Sequence, residues 1–470
     1  MLAGQAQTSL QKRLDSLTTS YEQNGYHGVI LVAKGDEVLY QKGYGLANID
    51  KNIKHTPNTL FKTESVGKMF TAVSILQLVE SGKLQLSQTV KELLPGTKLK
   101  NADKITVHQL LNHTSGLKSP WDSPKWSFKK DYTHEQLVQL IEELPLAFDE
   151  PGKEMFYSNA GYIVLGWIIQ KKTGLAFDQY FQKHIFSKLG MTHTRHLMDT
   201  IMPIANGAQP YRIISSKKHM QMDETVGSKS SAAGGWVSTT GDLHKFMAAL
   251  YQHRLIKPQT WEMMRTANGN QPKDSTFRFY AYGLETYINQ LIPGVSLYGH
   301  NGGGAGFSID AFVDPATGYI VTSCTNLYQN SRPIMVNYLK AALNKPLQAV
   351  TKSARVLLFD LIEQKGIDSI LVNGSTYFKQ LNINPHPGFI AQIGDDFLAI
   401  NDQHSWSKWM EFGISLYPKE AFLLVIQGDG HLKLQDKKAA IKSYEAAKAL
   451  ATTNNDQRAL QAADEKLKAL

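Results

Sequence analysis

Three short motifs carry residue types capable of chemistry. The first is Ser65-Val-Gly-Lys68, opening a stretch to Val79 in which Lys68 is the only charged residue. Serine and lysine three apart share a helix face, and Ser65 falls in the first turn, where the dipole favours developing negative charge. A lone ammonium on a helix that is apolar over most of its surface must be paired, neutralised or used, and burial lowers its pKa. An amine in that state can activate the serine as a nucleophile. The same residues also fit a helix-capping serine and a lysine whose stem carries its charge to solvent.

The second motif is Tyr157-Ser158-Asn159, ahead of an apolar run over residues 163–169. A phenol near an ammonium is drawn toward phenolate, so Tyr157 could carry protons, with Asn159 offering its amide to substrate or to Lys68. Alternatively, Ser158 or Asn159 simply caps the following helix. The third motif is His300-Asn301-Gly302-Gly303-Gly304, at the edge of a predicted strand. Glycines there admit a substrate to the backbone and leave N–H groups free as oxyanion donors, while His300 could orient or protonate the substrate. A flexible glycine loop is the plainer alternative. A phosphate cradle is disfavoured, since no Gly-Lys-Ser/Thr follows.

Elements from distant parts of the chain must position these motifs. Residues 8–21 read as an amphipathic helix, and 28–33 with 37–41 as a hairpin turning at Gly35. Helical pattern dominates from 65 to about 190, broken near 117–128. Strands return at 295–298, 307–313 and 319–324, followed by a helix at 331–343. Strands at both ends with helices between predict one sheet built from sequence-distant pieces, an α+β arrangement. Beyond about 346 a weak repeat emerges: Gly394 and Gly428 stand 34 residues apart, with Ala440, Tyr444 and Ala447 after the second. That is the tetratricopeptide spacing of small and aromatic residues, though Trp406 occupies a position where the pattern wants a small one. An irregular helical appendage is the alternative. The expected division is 1–345 and 346–470.

Composition narrows the function classes. The 470 residues are 42% hydrophobic and 19% charged, which is globular, and too long for one ordinary core. No uninterrupted apolar stretch is long enough for a membrane span. A single cysteine, Cys324, excludes an internal disulfide framework and a thiolate-only zinc site, and its apolar strand makes it a packing residue. The +9 net charge is spread along the chain without a basic stripe, so no nucleic-acid partner is expected. His193 and His196 lack metal-ligand spacing and read as surface residues. Trp121, Trp126 and Phe128, with Lys125, Lys129 and Lys130, form either a substrate-facing lid or an exposed contact. The first residues look like the small-residue tail left after a secretory signal, which would place the protein in the periplasm or outside the cell. An ordinary cytoplasmic terminus reads equally well.

Together, in this order, the motifs resemble the serine β-lactamase and penicillin-binding-protein superfamily, and the tyrosine points to its class C β-lactamase-like branch. Ile105–Leu117, Leu189–Thr192 and Ala233–Leu243 look like the same family, so the resemblance spans roughly residues 20–343. It implies an antiparallel sheet flanked by helices, an all-helical lobe, and an active site between them, with the helical repeats behind. It implies Ser65 as the acylated nucleophile, Lys68 and Tyr157 as proton carriers, Asn159, His300 and Gly302 as substrate contacts, and the N–H groups of Ser65 and Gly303 as the oxyanion hole. No cofactor is implied. One departure matters: many relatives carry Lys-Thr-Gly where this chain has His300-Asn301-Gly302, and a mostly neutral histidine attracts a substrate carboxylate less. The expectation is therefore an esterase or D-amino-acid peptidase with weak or no β-lactamase activity. Its competitor is an inactive scaffold that binds a protein through the repeats.

Overall fold

The computed structural model describes residues 2–127, 130, 132–196, 204, 206–222, 231–266, 279–304, 306–329, 331–468 and 470, with side chains from Ser9 onward except that of Phe279. The chain divides into two compact units, Met1–Arg212 with Met220–Thr351, and Ile213–His219 with Lys352–Leu470.

The first unit is built on a seven-stranded sheet in the order Glu37–Tyr44, Gly28–Lys34, Tyr319–Thr325, Phe307–Asp314, Ser296–Gly304, Glu285–Ile288 and Phe279–Tyr280, every pair antiparallel. Alternation along a strand sends its side chains to two faces. Val29, Leu31, Ala33, Ile309, Ala311 and Ile320 join the larger core, which includes the helices Lys68–Glu80, Asn159–Thr173 and Thr240–Tyr251. Ile30, Val32, Phe312 and Val321 face a second core with Leu14, Leu17, Met335, Tyr338 and Leu339, from the helices Leu2–Gln23 and Arg332–Ala342. Both faces are covered, which is why these strands read as nearly continuous apolar runs. The expected hairpin, the late strands and the closing helix are all present; the strands of 279–288 carried too little pattern to be read. Among the described residues no helix is long and apolar enough to cross a membrane.

The polar row on the helix Lys68–Glu80 does not face water. Thr71 donates to the Ala232 carbonyl at 2.5 Å, Ser74 to Phe70 at 2.8 Å and Gln77 to Leu255 at 3.1 Å. Backbone acceptors thus satisfy a helix that is buried nearly all round.

The glycine run at 302–304 is strand, not loop: Ser296–Gly304 pairs with Phe307–Asp314 through Gly304↔Phe307. On its other side it pairs with Glu285–Ile288 only as far as Gly299. Its 300–304 stretch therefore has no strand on that side among the described residues. Gly302 is there because the backbone of the Ser65 turn lies against it: a Cβ would fall 2.2 Å from the Thr63 carbonyl oxygen.

In the second unit two helical hairpins, Pro387–Ala399 with Gln403–Leu416 and Ala421–Lys433 with Lys437–Asn454, begin 34 residues apart. A Cβ on Gly428 would meet the Tyr444 ring at 2.4 Å, and one on Gly394 the Met410 sulfur at 3.0 Å, so each glycine lets its hairpin close. Trp406 is accommodated by Gly430, where a Cβ would fall 2.2 Å from the indole. Arg355 and Asp396 form a buried bidentate pair at 2.8 and 2.9 Å.

Two outcomes follow. Gly302→Ala pushes the Ser65 turn off the strand: thermal unfolding should show about 1–3 kcal/mol of destabilisation, with acylation at Ser65 falling more than stability does. Asp396→Ala strands a buried guanidinium and should cost the second unit about 3–5 kcal/mol, read by denaturant unfolding. Unchanged transitions would refute either account.

Candidate active site

Ser65 sits in a single 3-10 turn, Glu64–Gly67, that leads into the helix Lys68–Glu80. The turn is held by Thr63 N–H donating to the Trp236 carbonyl at 2.6 Å, and by Gly235 N–H donating to the Glu64 carbonyl at 3.1 Å. Glu64 has φ +47°, a left-handed conformation that a side chain disfavours. Gly234 lets the second segment reach it, since a Cβ there would fall 2.2 Å from the Glu64 carbonyl oxygen. Strain of this kind persists only where surrounding contacts enforce it.

Lys68 is fully buried. Its Nζ lies 3.0 Å from Ser65 Oγ, 2.6 Å from Asn159 Oδ1 and 2.8 Å from the Ala233 carbonyl oxygen. It also stands 4.9 Å from the Tyr157 ring centroid and 5.7 Å from that of Tyr162. Burial drives its pKa down to about 7, against the opposing pull of the Glu64 and Glu285 carboxylates. In the neutral amine, two N–H bonds can serve Asn159 and Ala233, which leaves the lone pair directed at the Ser65 hydroxyl. That is the arrangement of a general base on a nucleophile.

At the second motif both readings hold. Ser158 caps the helix Asn159–Thr173, accepting from Gly161 N–H at 3.2 Å, while Asn159 reaches Lys68. Tyr157 packs against His113 and Tyr280, at centroid distances of 4.3 and 5.8 Å. His113 has φ +63° and accepts from Ser158 N–H through Nδ1 at 3.0 Å, which fixes the backbone between Tyr157 and Asn159.

The third motif divides. Two residues separate the strands at the Gly304↔Phe307 closing pair, so that pair carries the ladder bonds and Gly303↔Ser308 does not. The N–H and C=O of Gly303 consequently point to the open edge, and Gly303 is exposed. His300 departs from expectation. It is fully buried, with Nε2 2.9 Å from Tyr280 Oη and Nδ1 against the Asn301 carbonyl. Its ring lies inside the protein with both nitrogens engaged, where it forms part of the wall of the site. Gly302 likewise serves turn–strand contact.

Glu64, His113, Tyr280 and Glu285 are site residues that the motifs alone did not single out. Glu285 lies 3.9 Å from His300 Nδ1 and pairs with Arg332 at 3.1 Å, and Arg332 also holds Asp310 at 2.7 Å. Glu64 was adjacent to the first motif, and an acidic residue beside a nucleophile was the available signal. Elsewhere, Cys324 is buried and its thiol pKa is raised by burial, as packing requires. His193 is exposed, but His196 is half-buried against Trp236 and Phe177 at 5.0 and 5.5 Å. Trp126 stacks on Tyr132 at 4.7 Å and meets Trp121 edge-on. Phe128, Lys129 and residues 267–278 lie outside the described residues.

The sequence profile of the family described as Beta-lactamase matches residues 11–345. Two Bacillus subtilis (strain 168) proteins are similar. A penicillin-binding protein is 29% identical over 316 residues, covering 63% of this chain and 68% of that protein. The putative penicillin-binding protein PbpX is 28% identical over 331 residues, covering 69% and 77%. Among solved structures, the D-amino acid amidase from Ochrobactrum anthropi SV3 in complex with L-phenylalanine superposes with TM-score 0.62 at 26% identity, over 71% of this chain and 98% of that one. The octameric penicillin-binding protein homologue from Pyrococcus abyssi gives 0.62 at 25% identity, over 72% and 78%. The match over residues 11–345, with a serine hydrogen-bonded to a buried lysine beside an open strand edge, places the chain in the beta-lactamase family, among its serine hydrolases of penicillin-binding-protein type.

Proposed function

We propose that this protein hydrolyses amides or short peptides of D-amino acids through an acyl-enzyme on Ser65. The observation that carries the reading is the 3.0 Å contact between Ser65 Oγ and a lysine that burial brings to about 7. Similarity to the D-amino acid amidase, and to a D-stereospecific amidohydrolase from Streptomyces sp. at 25% identity and TM-score 0.59, supports the substrate class.

The chemistry proceeds in two halves. Neutral Lys68 takes the Ser65 proton as Oγ attacks the substrate carbonyl carbon. The N–H groups of Ser65 and Gly303 hold the resulting oxyanion. The C–N bond breaks as the proton passes to the leaving amine through Lys68 and Tyr157, which lie together. Water then attacks the ester, gives its proton back along the same path, and Ser65 leaves with the acid released. Asn159 and the Ala233 carbonyl keep the amine aimed. We also propose the 34-residue helical hairpins as tetratricopeptide-like, on the strength of their shared offset and glycine contacts.

The pH profile tests the base. Only unprotonated Lys68 can accept the proton, so kcat/KM for a non-ionising p-nitrophenyl ester should fall about tenfold per pH unit below about 7 and level off above it. A profile flat from pH 5 to 9 contradicts the assignment. By ammonia release, D-alaninamide should be cleaved at least about tenfold faster than L-alaninamide; equal rates would remove the D-amino-acid part of the reading.

A further inference from the structure

The mechanism above leaves Glu64 without a role. Its residue is 5% exposed and its Oε1 is buried without a hydrogen-bond partner among the described residues, beside the nucleophile and in a strained backbone conformation. An unsatisfied buried acceptor is costly unless something bonds it. The carboxylate occupies the space a side chain at 304 would fill, where a Cβ would lie 2.4 Å from Oε1 and 2.8 Å from Oε2. Gly304 is the next strand residue after the oxyanion donor Gly303.

A substrate whose carbonyl oxygen sits on the N–H groups of Ser65 and Gly303, with its chain along the open edge, brings its α-substituent alongside Gly304, because one strand residue advances only about 3.3 Å. We propose that Glu64 receives the α-ammonium of the substrate, so that the enzyme selects amides and peptides with a free amino terminus over N-acylated or desamino analogues. This rests on the acyl-enzyme reading of Ser65. The charge of the site agrees: Lys68 acts as the neutral amine and does not repel an incoming ammonium, and no lysine stands at position 300 to hold a substrate carboxylate. An ammonium at Glu64 would also withdraw the carboxylate that favours charged Lys68, which releases the amine to act as base. Amino-terminal recognition and nucleophile activation would then be one event.

The test compares D-alanine p-nitroanilide with its desamino analogue, propionyl p-nitroanilide, and with N-acetyl-D-alanine p-nitroanilide. The wild-type kcat/KM ratio of free amine to each analogue should be at least about 10, the effect of a charge-assisted hydrogen bond. In Glu64→Gln that ratio should fall by roughly 10- to 100-fold. Gly304→Ala, whose Cβ displaces the carboxylate, should lower it too, and decides the matter if Glu64→Gln does not fold. A wild-type ratio near one, or a ratio unchanged in a folded variant, overturns the assignment and leaves the buried acceptor to water. Failure of a fluorophosphonate to label wild-type Ser65 would instead remove the hydrolase reading beneath it.

Discussion

A lysine amine held in the protein interior by three uncharged partners is the constraint on which this site depends. Lys68 is fully buried, and Ser65, Asn159 and Ala233 supply hydrogen bonds but no charge, so the Glu64 and Glu285 carboxylates offset only part of the effect of burial. The helix that carries it is buried nearly all round, and its other polar residues bond to backbone carbonyls, so the amine has no route to solvent along its own helix. Burial thus does the chemical work: it converts a residue that is ordinarily a cation into a base at neutral pH.

Position follows from close backbone packing. The Ser65 turn is wedged between the strand of Gly302–Gly304 and the segment Gly234–Trp236, and side chains at 234, 302 or 304 would collide with Thr63 or Glu64. Missing Cβ atoms on both sides explain how a turn with Glu64 at positive φ can be held. The same glycines set the strand of Gly303 against the Ser65 turn, at an edge that no neighbouring strand covers among the described residues. His300 and Tyr280, linked at 2.9 Å behind that edge, brace it from inside.

Much of this was legible in the sequence where local pattern and chemistry coincide. The hairpin at 28–44, the late strands and the buried helix all announced themselves through apolar runs, and Ser65 and Lys68 stood out because a lone charge in such a run demands a use, whereas Asn159 gained its role only from the order of the three motifs. What escaped depends on tertiary contact. His300 read as a substrate contact because glycines at a strand edge admit a substrate to the backbone, and the alternation that turns its ring to the buried face of that strand shows only in the folded sheet. Glu285 and Tyr280 lie in short strands with weak pattern, and only the sheet order brings them to His300. Glu64 was hidden by its neighbour, since no spacing rule says which way an acidic side chain points from a strained turn.

The most direct test of the central claim is intact-mass spectrometry after exposure to a fluorophosphonate, with wild type run beside Ser65→Ala. The account predicts a single adduct on the wild-type chain and none on the variant, because Ser65 has the buried amine of Lys68 as its base. An unmodified wild-type protein that is folded, or an adduct that persists in Ser65→Ala, would contradict it.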